Sequence, residues 1–79
     1  MNNRFELRGQ VVSYGTTKGN DWLLISTPDG KITVYLEDVS ISDIECDLQN
    51  TPYVITTGYL TSYKYTDEVI AVATDVDVK

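Results

Sequence analysis

Histidine is absent from this 79-residue chain and cysteine occurs once, as Cys46. Without histidine the commonest metal ligand and general base is missing. A single cysteine permits neither an intrachain disulfide nor a CxxC zinc set, and the flanking charges of Glu45 and Asp47 disfavour a thiolate, so Cys46 reads as structural. Basic residues are also scarce: six Lys and Arg stand against twelve Asp and Glu, a net charge of −6 that opposes non-specific attraction to phosphate backbones. No apolar run approaches the ~20 residues that span a bilayer, and MNNRFELRG lacks the apolar core of a secretory signal, so a soluble, cytoplasmic protein with no membrane association is expected. No Gly-, Ser- or Pro-rich linker, low-complexity stretch or fixed-period repeat divides the sequence, which predicts one domain over residues 1–79. A domain of this size buries about 60–65% of its unfolded surface. No nucleophile–base pair or metal constellation can be assembled from these residues, so neither catalysis nor a cofactor is expected.

What is present is mostly strand-like. Residues 4–14 alternate Phe5 and Leu7 with Glu6 and Arg8; Gly9 then interrupts, and Val11-Val12 follow in succession, which predicts a strand that bends and serves two sides of a barrel. Residues 15–21, GTTKGND, read as a flexible loop; they are not a P-loop, since the GxxxxGK[ST] spacing is missing. Residues 22–27 and 31–37 flank Thr27-Pro28-Asp29-Gly30, a strong hairpin signal. With Thr27 opposite Lys31, Trp22, Leu24, Ile32, Val34 and Leu36 face the core, while Leu23, Ile25, Lys31, Thr33 and Tyr35 face outward. A one-residue change in the turn exchanges the strand faces and puts Trp22 outside.

Ser42-Asp43-Ile44-Glu45 matches a capping box and predicts a short helix over about 43–49, with Ile44 and Leu48 plugging one end of the barrel. Residues 53–61 form a fourth strand, with Val54, Thr56, Gly58 and Leu60 on one face. Residues 62–67 are a loop, and 68–78 a fifth strand with Ile70, Val72, Val76 and Val78 turned one way. Asp75 and Asp77 then lie on the wet face of that strand. The fold class is all-β with little helix, in the order β-β-β-α-β-β.

This order resembles the OB-fold, a five-stranded, partly open Greek-key barrel. More narrowly, Arg8-Gly9-Gln10-Val11-Val12, Trp22-Leu23-Leu24-Ile25 and Asp29-Gly30-Lys31-Ile32-Thr33-Val34-Tyr35-Leu36 are similar to the anticodon-binding type of OB domain. The resemblance implies single-stranded DNA or RNA bound across strands two and three and the loops beside them. Carried onto this sequence, it implicates Lys18, Leu23, Ile25, Lys31, Thr33, Tyr35, Tyr63, Lys64 and Tyr65. Tyr63-Lys64-Tyr65 carries the sharpest signal, because two rings around a cation offer stacking planes and a phosphate contact. The acidic balance keeps a second reading open: a protein-interaction or assembly module, an accessory or viral protein, that meets another chain or a second copy through Leu23, Ile25 and Tyr35. An acidic mimic of nucleic acid is a third, and it requires carboxylates clustered on one surface at phosphate-like spacing.

Overall fold

The computed structural model describes residues 3–63 and 65–79. Five strands and one helix follow the expected order: β1 (Arg4–Thr17), β2 (Asn20–Thr27), β3 (Gly30–Leu36), α1 (Ile41–Leu48), β4 (Tyr53–Ser62) and β5 (Val69–Val78). The strands close into a barrel in the order β1-β2-β3-β5-β4, with β3 and β5 parallel over Val34–Leu36 and every other pair antiparallel. The barrel is closed rather than partly open.

As the interrupted pattern predicts, β1 serves two sides, pairing with β4 through Arg4–Gln10 and with β2 through Gln10–Thr17. Gly9 stands at the crossing, where a Cβ would collide with the carbonyl oxygen of Ser26. Val12 is the extra residue of a bulge, so Val11 and Tyr14 both point inward although three apart.

Residues 15–21 are not a flexible loop. β1 and β2 run to Thr17 and Asn20 and are joined by Lys18 and Gly19 alone. Both have positive φ, 53° and 80°, the signature of a type I′ turn whose twist matches that of the flanking strands.

The next hairpin corrects the facing of β2. Thr27 pairs with Gly30, not Lys31, leaving a two-residue turn of Pro28 and Asp29. The Thr27 hydroxyl donates to the Gly30 carbonyl at 2.8 Å and accepts the Asp29 N–H at 3.2 Å, while Gly30 takes φ +130°, open to glycine alone. Removing one residue from the turn moves β2 by one position against β3 and exchanges its faces. Leu23 and Ile25, expected outside, are fully buried opposite Val34 and Ile32; Trp22 and Leu24, expected inside, face outward. The facing of β3 stands as expected.

A bulge also rephases β5. Thr57 lies opposite Asp75 and Gly58 opposite Ala73, so Thr74 is extra; Ala71, Ala73, Val76 and Val78 pack toward the core, while Ile70 and Val72 lie on the outer face with Tyr35. The core is Val11, Leu23, Ile25, Val34, Val54 and Ala73, closed at one end by Leu48. Buried Thr56 is satisfied by donating to the Leu7 carbonyl at 3.2 Å.

The helix begins two residues earlier than its predicted box. Asp43, not Glu45, reaches back to the cap, and the cap is Ser40: the carboxylate accepts the Ser40 N–H at 3.3 Å and its hydroxyl at 3.0 Å. The earlier start buries Ile41 as well as Leu48, with Ile44 packed against the core.

Candidate functional site

Pairing across the barrel lines up one row of outward residues. Gly15 lies opposite Trp22, Trp22 opposite Tyr35, Tyr35 beside Val72, Val72 opposite Tyr59, and Tyr59 opposite Arg4. Strand alternation places all six on the outer surface. The indole of Trp22 passes over Gly15, within 2.8 Å of where a Cβ would stand, and its N–H donates to the Thr17 hydroxyl at 3.1 Å. Gly15 thus leaves room for the ring to lie across the sheet.

Above this row the β4–β5 loop folds back toward the β1–β2 turn. The loop is closed by a 2.7 Å hydrogen bond from the Tyr63 N–H to the Glu68 carbonyl, and the Tyr63 carbonyl accepts the N–H of Asp67 at 2.8 Å. Tyr63 and Tyr65 pack edge to face, with centroids 5.4 Å apart at 84°. This geometry is favourable for aromatic pairs, and Tyr65 stays largely exposed within it.

Three shallow grooves result, each sharing residues with the next. Thr17, Trp22, Leu24, Thr33 and Tyr35 line the first; Tyr35 with Asn20, Leu36, Glu37, Tyr63, Ile70 and Val72 lines the second, about 280 Å³; Asn20, Tyr63 and Ile70 continue into a third with Lys18, Ser62 and Tyr65. The track runs from the face of β2 and β3 to the cleft between the two loops. Aromatic and aliphatic residues line much of it, with Thr17, Lys18, Asn20, Thr33, Glu37 and Ser62 between them.

Of the residues singled out from sequence, Lys18, Thr33, Tyr35, Tyr63 and Tyr65 line this track. Lys31 is outward and exposed on β3 but lines none of the three grooves, because its place opposite Ser26 is near the far turn. Leu23 and Ile25 are core residues and touch no ligand surface. Lys64 lies outside the described residues. Sequence reasoning missed Trp22, Asn20, Glu37, Ile70 and Val72. The turn length hid Trp22, and the Thr74 bulge hid Ile70 and Val72.

Among the described residues, Glu37 is the one charged residue lining the middle groove, and Lys18 the one lining the groove beside it. The Glu37 N–H donates to the Ala73 carbonyl at 2.9 Å, and its Oε2 accepts the Tyr59 hydroxyl at 2.7 Å. That hydrogen bond is the main reason the Tyr59 pKa is raised, with desolvation and the charges of Glu37 and Asp38 adding to it. Tyr59 is therefore kept as a neutral donor. Elsewhere on the surface, Arg8 pairs with Glu6 at 3.0 Å and Lys79 with Asp77 at 2.9 Å. Among the described residues no group of three His, Cys, Asp or Glu is arranged to hold a metal ion. No described helix is long and apolar enough to cross a membrane.

The architecture is that of the OB-fold, and solved structures share it. The chain superposes on asparaginyl-tRNA synthetase from Pyrococcus horikoshii with a TM-score of 0.75 at 16% identity, covering 98% of this chain and 20% of that one. It also matches the Stn1–Ten1 complex of S. pombe (TM-score 0.65, 13% identity, 96% of this chain, 57% of that one). A third match is the dimeric N-terminal domain of PriB from Thermoanaerobacter tencongensis (TM-score 0.63, 16% identity, 98% and 96%). This chain spans about a fifth of the length of the synthetase. No protein-family model matches the sequence, and no curated protein matches it.

Proposed function

We propose that this barrel is a non-catalytic module that holds single-stranded DNA or RNA with little dependence on sequence. The observation that carries the reading is the continuous track from Trp22 and Tyr35 to Tyr63 and Tyr65, which lies between the β1–β2 turn and the β4–β5 loop. Bases stack on Tyr35, Tyr63 and Tyr65, and Trp22 extends the row by one plane. Each such contact contributes about 1–3 kcal/mol and tolerates any base. Lys18 meets a phosphate at the loop end, Lys31 takes a more distant one, and Thr33 supplies a hydroxyl on the strand face; Lys64, outside the described residues, is kept as a candidate phosphate contact from its place in the sequence. Likeness of fold to a synthetase whose substrate is a tRNA supports this reading.

Fluorescence anisotropy with labelled 12-mers at low salt tests it, together with the emission of Trp22. Binding at micromolar protein that is lost in a Tyr63→Ala/Tyr65→Ala double variant is the expected result. Failure of every oligonucleotide at tens of micromolar protein would reject it.

One observation favours a second reading, a protein-interaction module. Among the described residues β3 and β5 pair at three positions, which leaves the Gly30–Thr33 edge without a strand partner there on that side, and Ile32 is 37% exposed. An unpaired edge beside apolar surface suits an added strand from another chain or a second copy. Sedimentation at several concentrations distinguishes the self-association version, since a concentration-independent monomer excludes it.

A further inference from the structure

The middle groove contains a feature that backbone binding does not require. Tyr35, Leu36, Tyr63, Ile70 and Val72 line it, yet Asn20 and a carboxylate, Glu37, stand among them. A phosphate is repelled there. A base edge that donates hydrogen bonds is attracted.

The carboxylate is tethered through one of its two oxygens. Backbone pairing with Ala73 holds Glu37 at the end of the parallel seam, and the Tyr59 hydroxyl, reaching across β5 from β4, pins Oε2 at 2.7 Å. Tyr59 lies opposite Val72, a buried residue that lines the groove, so the tether reaches Glu37 from the strand beyond that floor residue. The second oxygen, Oε1, accepts no hydrogen bond from any described residue and is available to a ligand.

We infer that Glu37, positioned by Tyr59, selects bases with an exocyclic amino group at the Tyr35–Tyr63 position and discriminates against thymine and uracil. This rests on the nucleic-acid reading above. Cytosine presents N4–H₂, a donor that carboxylates accept. Thymine and uracil present one N–H flanked by two carbonyl oxygens, and pressing those oxygens toward a tethered carboxylate is unfavourable. Glu37 is thus a specificity residue on an otherwise sequence-tolerant track, and Tyr59 is a positioning residue.

Oligo(dC) and oligo(dT) 12-mers, both single-ring and weakly self-structured, are the probes, read by anisotropy at low salt and neutral pH. Wild type binds dC about tenfold more tightly than dT, the size of one good base contact. Glu37→Gln, whose amide offers a donor as well as an acceptor, brings the ratio near one, with dT binding retained or improved. Tyr59→Phe narrows the ratio without abolishing binding to either strand, a change that a purely structural role for the hydroxyl would not produce. Equal binding of dC and dT by wild type, or an unchanged ratio in Glu37→Gln, overturns the inference while the nucleic-acid reading survives. If neither strand binds but an arginine-rich peptide does, and Glu37→Gln weakens that peptide, the groove is a cation site and both readings fall.

Discussion

Asp21 Oδ2 accepts the backbone N–H of Ile41 at 2.9 Å, so the start of β2 caps the first turn of α1 from outside the helix. Ser40 and Asp43 satisfy each other at the cap, and Asp21 takes a helical N–H that they leave unmet. The helix is thereby tied to the β1–β2 hairpin, twenty residues away in sequence.

This contact makes stability depend on pH. The Thr16 hydroxyl, donating to Oδ1 at 2.7 Å, is the larger cause that lowers the Asp21 pKa; the Ile41 N–H is the second, and desolvation acts weakly against them. A carboxylate depressed on folding stabilises the fold fully above its unfolded value, about 3.9, and loses that contribution as pH falls through the folded one. Asp21→Ala is expected to melt at a lower temperature than wild type at pH 7, with the gap narrowing below about pH 4. Melting curves from pH 7 to 2.5 check this; a gap that stays constant counts against the cap.

Gly58 is expected to tolerate no side chain. A Cβ there would run into the Val72 carbonyl and stand 2.8 Å from the Ala73 Cα, both backbone atoms that cannot turn aside. Gly58→Ala should cost about 3 kcal/mol, a large share of the stability of so small a domain. Gly19→Ala, with open space around it but φ +80°, should cost only about 1 kcal/mol. Urea denaturation ranks the two, and a wild-type midpoint for Gly58→Ala would reject the close approach of β4 and β5.

Trp22 is the only tryptophan, which makes its fluorescence a probe of the β2–β3 register. In the two-residue turn its ring is on the outer face, so acrylamide should quench it readily and bound oligonucleotide should protect it. A three-residue turn would bury it and make both effects vanish.

Lys18 combines a turn role with a proposed phosphate contact, and Lys18→Asn separates them. Asn suits the positive φ at this position better than Lys, so stability should hold or rise by a few tenths of a kcal/mol. Affinity for a 12-mer should fall. Two or three neutralised phosphates give a log–log salt slope of roughly −1.4 to −2, and removing Lys18 should make it shallower by about 0.7. Salt titrations of both proteins measure this, and identical slopes would remove Lys18 from the site.

The barrel was legible in the sequence because alternation and turn residues encode it locally. The Gly9 interruption announced the bend in β1, and Pro28-Asp29-Gly30 announced a hairpin. What alternation cannot encode is phase across an irregularity. Leu23, Leu24 and Ile25 are apolar on both faces of β2, so either register buries a plausible core, and the Thr27 hydroxyl bonds that settle the turn depend on geometry. Ile70 and Val72 pose the same problem on β5, since the extra residue at Thr74 has no sequence mark of its own. Thr33 and Tyr35 were legible as candidates because strand three keeps its phase, and Lys18, Tyr63 and Tyr65 because a connection between strands lies at the barrel's end whatever the register. Glu37 was not, because only the fold brings it to Tyr59, twenty-two positions along the chain.

The three-pair seam between β3 and β5 has a consequence in time. The β1–β2–β3 meander and the β4–β5 hairpin each join neighbours in sequence, whereas β1–β4 and β3–β5 join the two halves across α1. Local pieces form quickly, and ring closure waits on the two distant pairings. The shorter of these, Val34–Leu36 against Ala71–Ala73, runs beneath the middle groove. A molecule bound at the proposed site between Tyr35 and Tyr63 would bridge that seam from outside as a clasp, and it is expected to slow the opening of the ring and the exchange of the amide protons along β3 and β5.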